Sequence, residues 1–295
     1  MSYPLNHSLI HILEKYVFYL EKHNDINKLF RIKKALEALM VFKEDIYNIE
    51  DIKQINGVGN TTYLILKEFC DTGMVEYIEN EKKNPLYKLC DVYGIGTKKA
   101  KELISKDITS IDCLKKNVDQ LNNVQKIGLK YYDDINQKIP REEIDLYKKI
   151  FTELFDKIND GCSSFEIVGS YRRGAKQSGD IDFIITNQNN NYKIFDDFLN
   201  ILKKENYIIE FLSRGSVKSL TIAKLPGKIA RRLDFLYSPP KEFSYAILYF
   251  TGSKYFNTAM RQRAIDLGFS LNEHRLINKE TKEVVCLDMK TEKHI

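Results

Sequence analysis

Between Gly169 and Ile185 the chain reads Gly-Ser-Tyr-Arg-Arg-Gly-Ala-Lys-Gln-Ser-Gly-Asp-Ile-Asp-Phe-Ile-Ile. A glycine-punctuated basic turn runs into an apolar stretch that opens with Asp180 and Asp182. Read as a strand over 180–185, this stretch carries both carboxylates on one face, because positions i and i+2 of a strand project together. Gly169 and Ser170 offer amides and a hydroxyl, Arg173 a bidentate fork, and Ser178-Gly179 a second amide cluster just ahead of the carboxylates. Hard oxygen ligands beside such a loop suit a divalent cation and a polyphosphate. A third aspartate, Asp234, sits in Arg232-Leu233-Asp234-Phe235-Leu236-Tyr237, a second expected strand. Aspartate is disfavoured inside strands, so three of them in two strands need a reason. Three carboxylates can hold two Mg²⁺, the arrangement of metal-assisted nucleotidyl transfer. The plainer alternative for Asp234 is an ion pair with Arg231 or Arg232.

The 295 residues allow two or three domains, and 43% hydrophobic with 29% charged residues suits packed cores. No apolar run reaches the length of a membrane span. The opening Met-Ser-Tyr-Pro-Leu-Asn-His lacks the pattern of a signal peptide. Cys70, Cys90, Cys113, Cys162 and Cys286 are scattered and odd in number, which argues for reduced thiols, against a zinc site, and for an intracellular location in nucleus or cytoplasm rather than secretion. Net charge is +5 overall, but −3 over residues 1–80 and +4 over each of 81–140 and 141–295. A polyanionic partner is expected to meet the chain beyond its first segment.

Around these residues the pattern calls for several helices. Leu9, Ile10, Leu13, Val17 and Leu20 form one apolar face, and Leu29, Ile32, Leu36 and Leu39 another, parted by His23-Asn24-Asp25. Ile55-Asn56-Gly57-Val58-Gly59-Asn60 leads into an apolar helical stretch from Tyr63 to Phe69 closed by Gly73. Val92-Tyr93-Gly94-Ile95-Gly96-Thr97, 37 residues on, leads into a helix from Ala100 to Ile104. Glycines let each turn come close to a ligand, and the amides of the helix that follows favour an anion. Each copy resembles a helix-hairpin-helix motif, a sequence-independent grip on a DNA backbone; two ordinary helix–helix turns are the alternative. Residues 117–140 read as polar. Pro140 then marks a boundary, and Arg141-Glu142-Glu143 opens a helix. Strands are expected at 165–168, 207–209, 220–223 and 232–237, with a helix over 193–204. Pro239-Pro240 reads as a linker, followed by helices at 245–250 and 255–267 broken at Thr251-Gly252-Ser253.

With these motifs, Lys126-Ile127-Gly128-Leu129-Lys130-Tyr131-Tyr132, Ile139-Pro140-Arg141-Glu142-Glu143 and Leu248-Tyr249-Phe250-Thr251-Gly252-Ser253 make nearly the whole chain resemble the family X DNA polymerases, nearest to polymerase beta. The resemblance implies a multidomain α+β protein. A helical lyase-like domain with the first hairpin would span 1–79 and a helical DNA-binding subdomain with the second 80–142. A nucleotidyltransferase palm would span 143–238, and a small α/β nucleotide-selection subdomain 239–295. It implies template-directed addition of dNTPs to a primer 3′-hydroxyl by a monomer, filling short gaps in base excision repair. Asp180, Asp182 and Asp234 would be catalytic and bind two Mg²⁺, with Mn²⁺ as a substitute. Arg141, Ser170, Arg173, Ser178 and Gly179 would meet the triphosphate. Tyr249, Phe250, Thr251 and Gly252 would line the sugar and exclude a 2′-hydroxyl, and Asn257 would meet the base. Gly57, Gly59, Gly94, Gly96, Arg232, Arg261 and Lys28 would contact DNA. Carbonyls of Lys53, Ile55 and Val58, and of Cys90, Val92 and Ile95, would hold Na⁺ or K⁺.

Departures from that family matter as much. Ile65 stands where the relative carries its Schiff-base lysine, and isoleucine forms no imine. Thr61 and Tyr77 replace neighbouring lysines, only Lys28 is kept, and Lys67 lies two positions from Ile65 on another helix face. Deoxyribose-phosphate lyase activity is therefore not expected. Leu236, Lys254 and His274 replace residues tied to domain closure and fidelity. A template-independent terminal transferase and a non-catalytic DNA-binding scaffold are the competing readings; the first lacks an obvious template-occluding insertion, and the second does not account for three aspartates.

Overall fold

The computed structural model describes residues 4–22, 25–285 and 291–295, so His23, Asn24 and Cys286 lie outside the described residues. The chain divides into two compact units, 1–122 and 123–295. Among the described residues no helix is long and apolar enough to cross a membrane, and Cys70, Cys90, Cys113 and Cys162 are free thiols.

The first unit is helical: α1 (Asn6–Leu20), α2 (Ile26–Val41), α3 (Asn60–Thr72), α4 (Glu76–Lys83), α5 (Pro85–Cys90), α6 (Thr97–Ile104) and α7 (Ile111–Lys115). Asp25 caps α2 by accepting from the Lys28 amide at 3.0 Å. Most of the expected apolar stripes are buried, with Leu9, Leu13, Val17 and Leu20 of α1 packed with Ile32, Leu36 and Leu39 of α2, while Ile10 and Leu29 are partly buried against them. Gly73 closes α3 in the left-handed conformation. The two glycine turns share one backbone form. Gly57 and Gly94 both have positive φ, and Gly59 and Gly96 are the extended N-caps of α3 and α6. Val58 N donates to Ile55 O and Ile95 N to Val92 O, each at 3.0 Å. A repeat visible only as spacing in the sequence is thus a repeat of hydrogen bonds.

The second unit opens with α8 (Asn123–Lys130) and α9 (Tyr132–Ile135), where the sequence read as merely polar. Leu129 and Gly128 of α8 are buried, so the segment is structured by what it packs on rather than by a long apolar stripe. There follow β1 (Ile139–Pro140), α10 (Arg141–Asp156), β2 (Ser163–Ile167), α11 (Gly169–Arg172), β3 (Gln177–Ser178), β4 (Ile181–Asn187), α12 (Lys193–Lys204), β5 (Ile208–Arg214), β6 (Lys218–Ala223), β7 (Arg231–Tyr237), α13 (Phe243–Thr251), α14 (Lys254–Asp266), β8 (Phe269–Leu271) and β9 (Leu276–Asn278). Pro140 caps α10, and Glu142 and Glu143 occupy its first turn, where acids suit the helix dipole.

One five-stranded sheet in the order β2-β4-β7-β6-β5 forms the centre. Its pairs are antiparallel except β4–β7, which run parallel. Strand β7 alternates strictly. Leu233, Phe235 and Tyr237 enter a core with Phe151 of α10 and Phe198 and Leu199 of α12, while Arg232, Asp234 and Leu236 turn to the opposite face. On that face Ile184 of β4 packs with Val168 and with Ala246 and Ile247 of α13. Asp182 lies two residues before Ile184 on β4, outside this apolar cluster. The alternation that builds the core therefore also delivers Asp182 and Asp234 to the other side of the sheet.

Candidate active site

Asp182 and Asp234 are register partners in the parallel β4–β7 pair. Neighbouring strands lie about 5 Å apart, so the register alone sets two carboxylates side by side. Asp180 does not belong to the strand, contrary to the sequence expectation: it occupies the bend just before Ile181. Gly179 and the turn before it bring the chain in from outside the ladder, yet the three carboxylates still converge. One oxygen from each of Asp180, Asp182 and Asp234 lies within 4.8 Å of the others, and among the described residues this is the one such group of metal-ligating side chains.

The residues fit a divalent cation. All three donors are hard carboxylate oxygens, and Asp234 Oδ1 is buried without a hydrogen-bond partner. Arg232 donates to Asp180, and its Nε stands 3.6 Å from Asp234 Oδ1, an ion pair beyond hydrogen-bond reach. The plainer reading of Asp234 is thus met in part. Arg232 neutralises the cluster, but three carboxylates face one guanidinium. Arg231 points away from them and pairs with Glu143 of α10 through two 2.8 Å hydrogen bonds.

The turn from Gly169 to Gly179 wraps this cluster. Val168 N donates to Asp182 O at 2.9 Å, tying the turn to β4. Gly169 has φ +64°, and a Cβ there would meet Asp182 Oδ2 at 2.6 Å, so only glycine lets the first residue of α11 approach the carboxylate. Ser170 Oγ donates to Ser178 Oγ at 2.7 Å, which joins the two hydroxyl-bearing ends of the loop. Pairing of β1 with β3 sets Ile139 beside Ser178 and brings the start of α10 to the loop. Arg141 donates to Tyr171 O at 2.7 Å and stacks 4.2 Å from the Tyr171 ring centre, so it braces the turn. Arg173 donates to Thr251 O at 2.5 Å, linking the loop to the end of α13.

Burial, with repulsion from Asp180 and Asp234, pushes the Asp182 carboxyl up to about 7, against the pull of Arg232 and Lys218. Burial likewise raises Asp234 to about 6, with Arg232 and Lys218 opposing and Asp180 adding. Lys218, on β6, is a residue the sequence reading missed. Its signal was available, since β6 pairs with β7, but only once that pairing was known. Both carboxyls sit above their unfolded value, so the fold favours their protonated forms. Their stabilising contribution is present below pH 4 and is lost as pH rises through 6 to 7. The metal-free protein is expected to lose thermal stability from pH 5 to pH 8, and Asp182→Asn to flatten that slope. Mg²⁺ binds the ionised form and should raise the melting temperature more at pH 8 than at pH 5.5. Thermal melts with EDTA and with Mg²⁺ test this; identical Asp182→Asn and wild-type slopes would contradict it.

Other expected site residues fall in several places. Asn257 Nδ2 donates to Tyr249 O at 2.8 Å, Arg261 stacks 5.0 Å from the Tyr249 ring centre, and Tyr249 and Phe250 meet edge to face at 5.0 Å. These residues of α13 and α14 form one contact group. In the first unit, Ile65 is buried in the helical core, and the Tyr77 ring lies tilted against Tyr16, with centroids 4.6 Å apart. Lys28 lies 5.2 Å and 5.3 Å from those two ring centres. Lys67 pairs with Asp71 at 3.1 Å on the outer face of α3. The side chain of Lys53 pairs with Glu50 at 2.6 Å. Ile55 O and Val92 O each close one glycine turn. His274 Nδ1 stands 2.7 Å from Glu242 Oε2.

A mixed sheet that presents three convergent carboxylates beside a glycine- and serine-bearing turn has the build of a nucleotidyltransferase palm. Residues 138–240 match the family model of the DNA polymerase beta palm, 88–136 that of the fingers domain of DNA polymerase lambda, and 246–295 that of the DNA polymerase beta thumb. The chain belongs to the family X DNA polymerases. It is 30% identical over 281 residues to DNA polymerase lambda of Rattus norvegicus, covering 90% of this chain and 49% of that protein. DNA polymerase lambda of Arabidopsis thaliana is 27% identical, covering 99% of this chain and 59% of that protein. The DNA polymerase type-X family protein pol4 of Schizosaccharomyces pombe is 26% identical, covering 86% and 53%. The chain spans about half the length of the curated relatives it matches.

Proposed function

We propose that this chain is a template-directed DNA polymerase that extends a primer 3′-hydroxyl with dNTPs and fills short gaps in base excision repair. The observation that carries the reading is the convergence of Asp180, Asp182 and Asp234 beside the Gly169–Gly179 turn. Mg²⁺, or Mn²⁺ in its place, held by these carboxylates would lower the pKa of the attacking hydroxyl and neutralise the leaving pyrophosphate. Asp234, whose Oδ1 has no hydrogen-bond partner, accepts or stands next to the acceptor of the hydroxyl proton. Arg141, Ser170, Arg173, Ser178 and Gly179 meet the triphosphate, and Arg141 also braces the turn that carries the others. Tyr249 to Gly252 form the sugar-facing wall, Asn257 meets the base, and Arg261 the template strand. Arg232 exchanges its carboxylate partners for DNA when the cluster holds cations.

In the first unit the two matching glycine turns act as helix-hairpin-helix clamps on the phosphate backbone. Gly57, Gly59, Gly94 and Gly96 allow its approach, and the carbonyls of Lys53, Ile55, Val58, Cys90, Val92 and Ile95 hold Na⁺ or K⁺. Lys28 makes a weaker DNA contact from its place over two tyrosines. The functional parts divide at 1–79, 80–142, 143–238 and 239–295. We assign the protein to nucleus or cytoplasm as a monomer. Primer extension on a one-nucleotide gapped duplex and on a single strand, with each dNTP, is the test. Mg²⁺-dependent, template-matched incorporation on the gap is expected. Extension of the single strand alone would overturn template direction.

We also propose that the chain has no deoxyribose-phosphate lyase activity, because Ile65 is buried and Lys67 is engaged with Asp71 on another face of α3. Borohydride treatment with an incised abasic duplex is expected to trap no covalent adduct. A trapped adduct would show that another amine does this chemistry.

A further inference from the structure

The short 3₁₀ helix Glu292–His294 packs against α13 and forms an ion pair with the turn that wraps the site. Glu292 Oε1 stands 2.6 Å from Arg172 Nη1, with both side chains about two-thirds buried (33% and 28% exposed). The same Arg172 Nη1 donates to Thr251 Oγ1 at 3.1 Å, while the next residue, Arg173, donates to Thr251 O at 2.5 Å. Two consecutive arginines therefore grip one residue, the last of α13. Thr251 precedes Gly252, where a Cβ would come within 3.3 Å of Arg173 Nη1. A helix end leaves carbonyls without helical partners, so the position of this segment depends on outside donors.

These two grips are not equivalent. Arg173 is the fork that the proposed function assigns to the triphosphate, so a bound nucleotide competes with Thr251 O for it. Arg172, through Thr251 Oγ1, then still holds the end of α13 from the turn. A guanidinium held by one carboxylate stays in a fixed orientation, whereas an unpaired one is free to turn toward nearby phosphate. We propose that Glu292 is a positioning residue for sugar selection: through Arg172 it fixes Thr251 and the wall from Tyr249 to Gly252 while nucleotide is bound, and so helps exclude a ribose 2′-hydroxyl. Glu292 itself touches no substrate. The inference rests on the polymerase reading given above.

The experiment measures kcat/KM for a dNTP and the matching rNTP on gapped DNA, for wild type, Glu292→Gln, Glu292→Asp, Arg172→Ala and the Arg172→Ala/Glu292→Gln double variant. Glu292→Gln is expected to reduce the preference for dNTP about tenfold, chiefly through improved rNTP use, as loss of one positioned polar contact does. Glu292→Asp should recover most of the preference. The double variant should be no worse than Arg172→Ala alone, because both act through one contact. An unchanged preference in Glu292→Gln, or an equal loss for both nucleotides, overturns the proposal while leaving the polymerase reading standing. Absence of dNTP incorporation by wild type would overturn the polymerase reading, and this inference with it.

Discussion

Asp234→Ala is expected to abolish primer extension, by on the order of 10³-fold or more in kcat/KM, while affinity for gapped duplex stays within about threefold. The two effects separate because the carboxylate acts where charge develops and makes no phosphate contact of its own. Asp234 Oδ1 is already desolvated and has no hydrogen-bond partner, so a cation meets an ionised carboxylate opposed there by the Arg232 guanidinium, whose Nε stands 3.6 Å away. Asp234→Glu should not rescue activity. Asp182 and Asp234 face each other across one ladder step, and an extra methylene moves the carboxylate away from that pairing. Quenched-flow extension and fluorescence-anisotropy titration with the same duplex read the two quantities. Extension near the wild-type rate by Asp234→Ala would remove this residue from the chemistry and sink the palm assignment.

Glu143→Ala is expected to destabilise the second unit strongly while leaving the carboxylate cluster intact. Arg231 is 5% exposed and Glu143 6% exposed, and two 2.8 Å hydrogen bonds join them. Arg231 Nη1 also donates to Gln137 O at 3.1 Å and to Lys138 O at 3.4 Å. This pair stitches β7 to the segment that leads into β1 and to the first turn of α10. Loss of the carboxylate leaves a buried guanidinium with carbonyls alone, a change that costs about 3–5 kcal/mol. Replacing both residues by leucine should cost much less, because no uncompensated charge remains. Urea denaturation of the three proteins measures this. A loss below about 1 kcal/mol for Glu143→Ala would show that water or a neighbouring group reaches Arg231.

These two residues also show where a sequence reading stops. Both arginines beside Asp234 were candidates to pair with it. Strand alternation puts Arg232 on the face of Asp234 and Arg231 on the other, and only the tertiary structure pairs Arg231 with Glu143, 88 residues away in the chain. Likewise, Asp180 and Asp182 read as one strand face. The structure places Asp180 in the bend before β4, where a turn rather than the pleat aims it. Residues 123–135 read as polar because their helices are short and each buries few side chains.

What local chemistry dictates was legible. The glycine turns, the start of α10 at Arg141, the span of α12, the break at Thr251–Ser253 and the three aspartates all follow from periodicity, capping and residue type over a few neighbours. That Ile65 stands where the resemblance puts a lysine was equally plain, since an absent amine needs no geometry; its burial came from the structure. Tertiary structure alone decided the β4–β7 register that sets Asp182 beside Asp234, the place of Lys218 near both, and the hold of Glu292 on Arg172. Each of these joins residues far apart in the chain. Strand pairing and side-chain contact across such separations are selected by the packing of the whole unit, which no short window of sequence contains.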